Sequence, residues 1–269
     1  MYKIIACDLD ETLLKLDRTI DRKDIEAVAM ARAKGVKFVP ATGRGYNSVQ
    51  GTLQELGLWQ QEGEYVISYN GGAITENKNN RLLHFEGLPF ELAQALYCRG
   101  RQYDVCIHVY TRDMVYVYNL FQGEIDYLAN RMEIQVINTD NIEFLRGQEI
   151  TKVLYTNTDR AYLNQIEKDL QDITGEIDVS YSSNRYIEFN HRGVNKGQGL
   201  ISLAKLLNVD LSETIAIGDN YNDLPMIKAA GLGVGVANTV ESMKAECDYI
   251  TKATCNESAV AEVIRRFVL

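Results

Sequence analysis

The stretch IIACDLDETLL, residues 4–14, decides the fold, because an apolar run ends in three carboxylates within four positions. The run IIAC (4–7) is typical of a buried strand, and Asp8, Asp10 and Glu11 follow its carboxyl end. Crowded carboxylates raise one another's pKa and repel, so the arrangement is costly unless something neutralises it. Side chains two positions apart on a strand point the same way, so Asp8 and Asp10 converge if the strand continues through them. The sequence therefore predicts a site at the end of the first strand.

Both ends of the chain repeat this strand and alternate it with helical patterns. The further strand candidates are VKFVPA (36–41), YVISYN (65–70), TIAIGD (214–219), LGVGVA (232–237) and DYI (248–250). The helix candidates between and after them are RKDIEAVAMARAKG (22–35), NSVQGTLQELG (47–57), QGLISLAKLLN (198–208), DLPMIKAA (223–230), VESMKAE (240–246) and SAVAEVIRRF (258–267). Strands that are apolar throughout and alternate with helices predict an α/β fold, with a mostly parallel sheet covered on both faces.

The middle of the chain has a different pattern, with Tyr- and Val-rich strands of alternating character. Helical stretches around 89–102 and 160–174 lie among these strands, which predicts an α+β domain with an open, mostly antiparallel sheet. We therefore expect an α/β core made of residues 1–84 plus 190–269, and an inserted domain over 85–189. The polar segment ENKNNR (76–81) is typical of a turn that joins two strands of a hairpin.

The whole-chain composition limits the classes of partner. The 269 residues carry a net charge of -9 and a pI of about 5.0, which argues against nucleic acid and anionic membrane surfaces. Five cysteines, an odd number without a CxxC pair, favour a reducing compartment. Asp8 interrupts the N-terminal apolar run, and no run approaches the ~18 apolar residues of a membrane span. We expect a cytoplasmic protein of undetermined oligomeric state that binds an anionic substrate through a local site.

Polar residues follow the strands wherever an open α/β sheet would place a ligand, beyond the carboxyl ends. Besides Asp8 and Asp10, these residues are Thr42, Gly43 and Arg44, then Asn70, Gly71 and Gly72, and finally Asp219, Asn220, Asn222 and Asp223. Any one of them is equally well explained as a helix cap. Caps do not require three or four carboxylates, however, so the set as a whole indicates a binding site.

Several carboxylates in one cleft remain ionised only beside a cation. Oxygen ligands without histidine fit Mg²⁺, and zinc is disfavoured because the three histidines, His84, His108 and His191, are scattered. A carboxylate next to Mg²⁺ can attack a phosphoryl group, and Asp8 is the better candidate because it leaves the rigid strand directly. Asp10 can then protonate the leaving oxygen and later activate water.

A transferring phosphoryl group also needs donors and cations around it. The Thr42 hydroxyl, the Gly43 amide at a helix N-terminus and the Leu9 amide are candidate donors. Lys196 begins a predicted helix, where the helix dipole disfavours a lone cation. Two explanations remain open at this point: Lys196 faces an anion, or it is an ordinary surface lysine.

The residues resemble the motifs of the haloacid dehalogenase-like (HAD) superfamily. DLDET (8–12) is similar to its first motif, DxDx[TV], and ATGR (41–44) to its second. VNKG (194–197) is similar to the third motif and GDNYNDLPM (218–226) to the fourth. The insert between the second and third motifs resembles the C2B cap of Cof-type (subfamily IIB) hydrolases. The resemblance implies a Rossmann-like, doubly wound core that uses Mg²⁺ to hydrolyse small phosphorylated metabolites, such as sugar phosphates, flavin mononucleotide or pyridoxal phosphate.

The resemblance also assigns roles to single residues. It implies that Asp8 is the nucleophile and a metal ligand, and that Asp10 is the acid and base, with its backbone carbonyl on the metal. Asp219 would bind the metal and Asp223 would support it from behind. The residues expected to hold the phosphate are Leu9, Thr42, Gly43, Lys196 and Asn222. Arg44 is expected to have a structural or outer role, with a phosphate contact as the alternative.

Glu11 departs from the resemblance, because Cof-type proteins usually carry glycine there. A glycine can serve a turn that glutamate adopts at a cost, and an extra carboxylate would repel phosphate. We therefore expect the Glu11 side chain to face away from the phosphate. Candidate substrate contacts outside the motifs are Arg185, Tyr186, Tyr46 and Asn47, each of which is equally well explained as structural.

The function predicted from all this is a phosphatase that works through an aspartyl-phosphate. One alternative is a phosphotransferase or phosphomutase of the same superfamily, which would accumulate a sugar bisphosphate. Another is a phospho-acceptor signalling or metabolite-binding protein. A receiver-type signalling domain would be about half this length and would lack the insert.

Overall fold

The computed structural model describes residues 1–129, 132–182 and 185–269. Its strands are β1 (Ile4–Cys7), β2 (Lys37–Pro40), β3 (Tyr65–Ser68), β4 (Ala73–Glu76), β5 (Arg81–Phe85), β6 (Cys106–Thr111), β7 (Val115–Tyr118), β8 (Ile134–Val136), β9 (Ile150–Thr156), β10 (Ile177–Ser182), β11 (Tyr186–His191), β12 (Thr214–Gly218), β13 (Leu232–Gly235) and β14 (Tyr249–Ile250). Its α-helices are α1 (Arg22–Ala33), α2 (Gln50–Glu55), α3 (Phe90–Gly100), α4 (Gln122–Leu128), α5 (Arg160–Asp169), α6 (Lys196–Leu206), α7 (Leu224–Ala229) and α8 (Ala259–Phe267).

The chain divides into two compact units. The core unit comprises Met1–Phe85 and Asn195–Leu269, and the insert unit comprises Glu86–Val194. Strand β11 pairs with β10 and β9, both in the insert unit. The chain therefore returns to the core unit only after β11 has ended. Among the described residues, the helices are all too short or too polar to cross a membrane.

A five-stranded parallel sheet forms the centre of the core unit, in the order β14-β13-β12-β1-β2. Strand β1 lies between β12 and β2, and Cys7 is in register with both Ile217 and Pro40. The carboxyl ends of these three strands therefore finish at one edge of the sheet. The α/β fold with a parallel core that the sequence predicts is confirmed.

Both faces of this sheet are covered, as its continuous apolar strands require. Ile5 and Cys7 pack in a cluster with apolar residues of α1 and α8, whereas Ile4 and Ala6 pack with residues of α6 and α7. The two clusters follow the alternation of side chains along a strand, and all four residues of β1 are fully buried. The first strand is thus a rigid base for whatever follows Cys7.

The third predicted strand belongs to a different sheet. Strand β3 pairs antiparallel with β4, which pairs with β5, and one parallel bridge between Ala41 and Ile67 links β3 to the end of β2. The chain turns back directly after β3, so β4 rather than a parallel neighbour supplies its ladder. The predicted hairpin turn over 76–81 is confirmed, because Glu76 pairs with Arg81 across a short 3-10 turn.

The insert unit contains a six-stranded sheet in the order β10-β11-β9-β6-β7-β8. All neighbours are antiparallel except β7 and β8, which confirms the mostly antiparallel sheet. Helices α3 and α5 match the two predicted helical stretches and contribute to a core that includes Tyr97, Tyr155 and Phe189. Helix α4 was not predicted, because one of its two buried residues is Glu124 and the apolar Ile125 is exposed.

One buried carboxylate in the core unit is remote in sequence from the motifs. Asp24 of α1 is fully buried and its Oδ1 accepts a 2.6 Å hydrogen bond from the Ala261 amide, near the start of α8. Its second oxygen has no hydrogen-bond partner among the described residues. Burial raises the pKa of Asp24 from 3.8 to about 7, with a further upward contribution from Asp21 and downward ones from the Ala261 hydrogen bond, Arg265 and Lys15.

Candidate active site

Carboxylates collect at the edge where β1 and β12 end. Asp8 directly follows β1, and its amide donates a 2.9 Å hydrogen bond to the Ile217 carbonyl of β12. Asp219 directly follows β12, and Asp223 immediately precedes α7. Since the two strands are parallel neighbours, their ends bring residues 211 positions apart in sequence into one place.

Lys196 lies between two of these carboxylates. It is the first residue of α6, its side chain is fully buried, and its Nζ pairs with Asp8 Oδ1 and with Asp223 Oδ1 at 2.6 Å. Burial alone would lower the pKa of Lys196, but the charges of Asp223 and Asp8 raise it above its ordinary value. The surface-lysine explanation is therefore wrong, and the cation at a helix N-terminus is stabilised by two anions.

Asp8, Asp219 and Asp223 form a cluster in which one oxygen of each lies within 4.8 Å of the others. Burial raises the pKa of Asp8 well above its usual range, and the nearby charge of Asp223 adds to that effect. Burial also raises the pKa of Asp219 to about 6, against a 2.7 Å hydrogen bond from the Thr12 hydroxyl. The cluster thus holds three carboxylates beside one ammonium group, which pairs with Asp8 and Asp223, so negative groups outnumber positive ones.

Asp223 is held more completely than the other two carboxylates. Its Oδ1 accepts from Lys196, and its Oδ2 accepts from the amides of Asp219 (3.0 Å) and Asn220 (3.1 Å). This close approach needs the glycine at position 218, because a Cβ there would overlap the Asp223 side chain. Asp223 therefore fixes the loop after β12 as well as contributing charge.

Asp10 does not join the cluster. Strand β1 ends at Cys7, so the condition on which Asp8 and Asp10 were expected to converge, a strand that continues through both, is not met. The Asp10 side chain is 51% exposed, and both of its oxygens face the Arg44 guanidinium, one of them at 2.9 Å from Nε. Arg44 thus binds the second aspartate of the motif in a two-pronged ion pair.

The remaining predicted phosphate residues lie in loops around the cluster. Thr42 is buried, and its hydroxyl oxygen accepts from the Arg44 amide at 3.1 Å. Gly43 is not at a helix N-terminus as expected, because a 3-10 turn over Tyr46–Val49 separates it from α2. The Leu9 side chain is fully buried, which fixes the backbone between Asp8 and Asp10.

Asn222 is exposed, and its Nδ2 donates to Asn70 Oδ1 at 3.3 Å. This contact joins the loop after β12 to the turn after β3. The sequence placed Asn70 among the polar residues at the strand ends without a specific role, and it gave Thr12 none beyond its place in DLDET. Thr12 is the last residue of the DLDET motif, and Asn70 follows a strand end, so position alone offered a signal for both.

Glu11 adopts a left-handed backbone, with φ of +60°, and its side chain is exposed. Its carbonyl accepts a 2.8 Å hydrogen bond from Asn238 Nδ2, which fixes the turn. This conformation is the one that favours glycine, so glutamate occupies the position at a cost in backbone energy.

Three of the four candidate contacts outside the motifs have structural partners. Tyr46 is buried in a cluster with Tyr69, and its carbonyl accepts from Gln50 Nε2 at 2.8 Å. In the insert unit, the Tyr186 hydroxyl donates a 2.6 Å hydrogen bond to Glu124, and Arg185 lies 3.5 Å from the same carboxylate. Asn47 is exposed.

Comparison with known proteins finds a matching family model, similar sequences and a similar solved structure. The family model described as haloacid dehalogenase-like hydrolase (Hydrolase_3) matches residues 5–264. Phosphatase YwpJ of Bacillus subtilis (strain 168) is 28% identical over 301 residues, covering 99% of this chain and all of that protein. The 5-amino-6-(5-phospho-D-ribitylamino)uracil phosphatase YcsE of the same organism is 28% identical over 271 residues, covering 99% of this chain and 96% of that protein. A haloacid dehalogenase-like hydrolase from Bacteroides thetaiotaomicron has 31% identity and a TM-score of 0.87, with 99% of each chain covered.

Proposed function

The chain belongs to the haloacid dehalogenase-like hydrolases, and from that premise we propose that it is a Mg²⁺-dependent phosphatase acting on small phosphorylated metabolites. The observation that carries the proposal is the buried set of Asp8, Lys196 and Asp223 beside Asp219. A carboxylate at the end of a rigid strand, oriented by a buried ammonium, is a suitable nucleophile for phosphorus. We also propose that the insert unit is the C2B-type cap of this family.

The donor set fits a hard divalent cation. Asp8, Asp219 and Asp223 offer oxygen ligands and no nitrogen or sulfur, which is the chemistry that Mg²⁺ prefers. Lys196 offsets only part of their charge. Asp8 and Asp219 would hold the ion together with the Asp10 carbonyl, and Asp223 would support it through the amides of the same loop. A bound Mg²⁺ supplies positive charge that offsets the repulsion between the phosphate and the attacking carboxylate.

The residues of the chain can carry both halves of the reaction. Asp8 attacks phosphorus while the bond from phosphorus to the leaving oxygen breaks, and that oxygen takes a proton from Asp10. Water then attacks phosphorus in the resulting aspartyl-phosphate and gives a proton to Asp10, while the bond from phosphorus to the Asp8 oxygen breaks. Inorganic phosphate leaves, and Asp8 is a free carboxylate again. Asp10 reaches the leaving oxygen only after it releases at least one of its bonds to Arg44.

Donors surround the place where the phosphoryl oxygens would lie. Lys196 contributes a cation next to Asp8, and the Thr42 hydroxyl and Gly43 amide belong to the neighbouring loop. Asn222 contributes a side-chain amide from the loop after β12. Preorganised donors of this kind stabilise the charge of a phosphoryl group without reorganising during the reaction.

The proposal extends to the class of substrate, a monoester of a small alcohol or heterocycle. The acidic chain, with a net charge of -9, has to capture an anionic substrate by these local donors. The name of the related Bacillus subtilis enzyme supplies a first compound for testing, 5-amino-6-(5-phospho-D-ribitylamino)uracil. Sugar phosphates, flavin mononucleotide and pyridoxal phosphate complete a sensible panel.

The test measures release of inorganic phosphate from this panel with and without Mg²⁺. Asp8→Asn removes the nucleophile and is expected to abolish turnover while the unfolding midpoint stays close to that of the parent chain. Asp17→Asn, in an exposed loop of the core unit, is the matched control and is expected to keep full activity. Normal turnover by Asp8→Asn would refute the mechanism.

Product analysis distinguishes the phosphotransferase alternative. A phosphatase passes the phosphoryl group of Asp8 to water, so phosphate and free alcohol appear in equal amounts. A phosphomutase passes it to a second sugar hydroxyl, so a bisphosphate accumulates. The balance of phosphate against alcohol, measured for each active substrate, decides between the two.

A further inference from the structure

A strained turn follows β3 and has no role in the reaction described so far. Tyr69, Asn70 and Gly71 are three consecutive residues with positive φ, at +52°, +54° and +100°. Left-handed conformations cost energy for residues other than glycine, and they persist where surrounding contacts determine them. The contacts of this turn therefore indicate what holds it and what it holds.

The turn is bonded to the loop that carries Thr42 and Gly43. The Asn70 amide donates to the Thr42 carbonyl at 2.9 Å, and the Tyr69 amide donates to the Arg44 carbonyl at 3.0 Å. A third bond, from the Thr42 amide to the Ile67 carbonyl at 2.9 Å, joins the same loop to the end of β3. Backbone bonds on both sides of Gly43 thus fix its position relative to the turn.

The turn also packs against the start of the helix that carries the buried lysine. A Cβ placed on Gly71 would overlap the Asn195 carbonyl, and Asn195 is the residue that caps α6 directly before Lys196. A Cβ on Gly199, one turn further along α6, would lie 2.9 Å from the Gly71 Cα. The close fit of these glycines sets the distance between the turn and the first turn of α6.

The Asn70 side chain connects the turn to the loop after β12. Its Oδ1 accepts from Asn222 Nδ2 at 3.3 Å, and a Cβ on Gly43 would lie 3.1 Å from the same oxygen. The Asn70 amide therefore lies between Gly43 and Asn222. One polar side chain of the turn thus bonds Asn222 in one neighbouring loop and lies against Gly43 in the other.

We propose that Asn70 is a positioning residue for phosphoryl binding, which orients the Asn222 amide with respect to Gly43 and Thr42. Asn70 acts through Asn222 and does not itself react. Asparagine suits the position for two reasons, since it tolerates a left-handed backbone better than most residues and supplies the acceptor for Asn222. The kinetic part of this inference rests on the proposed phosphatase function.

The test separates the role of the Asn70 backbone from that of its side-chain amide. Asn70→Gly keeps the left-handed turn and removes the side-chain amide, whereas Asn70→Ala removes the side-chain amide and strains the turn. Asn79→Ala is the matched control, because Asn79 is also left-handed, with φ of +58°, but lies in the hairpin turn between β4 and β5. Asn70→Ala and Asn79→Ala are expected to lower the urea midpoint by similar amounts.

The expected kinetic result is a roughly tenfold or greater loss of kcat/KM in both Asn70 variants, with a matching rise in the inhibition constant of inorganic phosphate. Asn79→Ala is expected to leave both constants unchanged. If Asn70 acts through Asn222, adding Asn70→Gly to Asn222→Ala causes little further loss. Parent-like constants in Asn70→Gly would overturn the inference, since they would show that the turn alone matters.

Failure of the proposed function gives a distinguishable outcome. If the parent chain hydrolyses none of the esters, calorimetric titration with inorganic phosphate in the presence of Mg²⁺ still compares parent, Asn70→Gly and Asn79→Ala. Weaker binding by Asn70→Gly alone supports the positioning role. Equal binding by all three, or no binding by the parent chain, overturns it.

Discussion

Replacement of Lys196 by methionine tests the charge balance at the centre of the core unit. Lys196→Met keeps a long, unbranched side chain and removes the ammonium that lies between Asp8 and Asp223. Both carboxylates then remain in a buried position without their partner. Removing one member of a buried ion pair typically costs about 3–5 kcal/mol, because the other member keeps its desolvation penalty.

The expected loss of about 3–5 kcal/mol is large beside the roughly 5–15 kcal/mol that stabilises an ordinary domain. Urea unfolding is followed by the fluorescence of Trp59, the single tryptophan of the chain, which lies half-exposed in the core unit. EDTA in the buffer keeps divalent cations from replacing the missing charge. Lys205→Met, at an exposed position of the same helix, is the control and is expected to change stability by less than about 0.5 kcal/mol.

A loss below about 1 kcal/mol in Lys196→Met would refute the reasoning. It would mean that the carboxylates relax to water or take up protons at little cost, and that the ion pairs contribute nothing measurable. A loss of the expected size in Lys205→Met as well would point to helix α6 itself, so the comparison of the two variants is the decisive measurement.

Three further predictions follow from other parts of the chain. The raised pKa of Asp24 favours the folded state while the carboxyl is protonated, so this contribution to stability is fully present below pH ~4 and is lost as pH rises through about 7. Urea unfolding is therefore expected to show the stability of Asp24→Asn, relative to the parent, rising by up to ~4 kcal/mol between pH 4 and 8. An equal pH dependence of both chains would contradict this. Glu11→Gly relieves a left-handed backbone and is expected to stabilise the chain by about 1 kcal/mol, whereas Glu26→Gly inside α1 is expected to destabilise it by about as much, and thermal unfolding of the two variants checks the opposite signs. Cys98 is exposed, whereas Cys7 is buried, and burial raises the pKa of the Cys7 thiol well above its usual range. A thiol reagent added to the native chain is therefore expected to modify Cys98 rapidly and Cys7 only after unfolding. Fast loss of the Cys7 thiol would contradict its burial.

The parallel core could be predicted from the sequence because its central strands are almost entirely apolar. Ile4–Cys7 and Thr214–Gly218 are buried at every position, and no one-sided strand has that composition. The sheet to which β3 belongs could not be predicted in this way, since the pairing of β3 depends on the path of the chain after Ser68. The turn after Ser68 sends the chain straight back as β4, and that neighbour takes the place of a parallel one.

In the candidate site, too, local sequence predicted some features, whereas others depend on residues far away in the chain. The motifs identified Asp8, Lys196 and Asp219 by residue type and by their place at strand and helix ends. The burial of Lys196 depends on Asp8, which is 188 residues away, and on Asp223, which is 27 residues away, so its own segment gave no indication of it. The alternation argument did not reach Asp10, because alternation holds only as far as the hydrogen-bonded strand, which stops at Cys7.

The site has more carboxylates than ammonium groups, and this difference sets the order in which its residues can be lost during evolution. Three buried carboxylates lie in one cluster with the single ammonium of Lys196. A neutral substitution at Asp8 therefore reduces the excess of negative charge, whereas a neutral substitution at Lys196 increases it. On the proposed mechanism, the first change is expected to end catalysis and leave a foldable chain. The second is also expected to remove much of the stability on which later substitutions depend. In descendants released from selection for catalysis, Asp8, the proposed nucleophile, is therefore expected to disappear before Lys196. A lineage in which the lysine is lost first needs surplus stability gained elsewhere in the core unit.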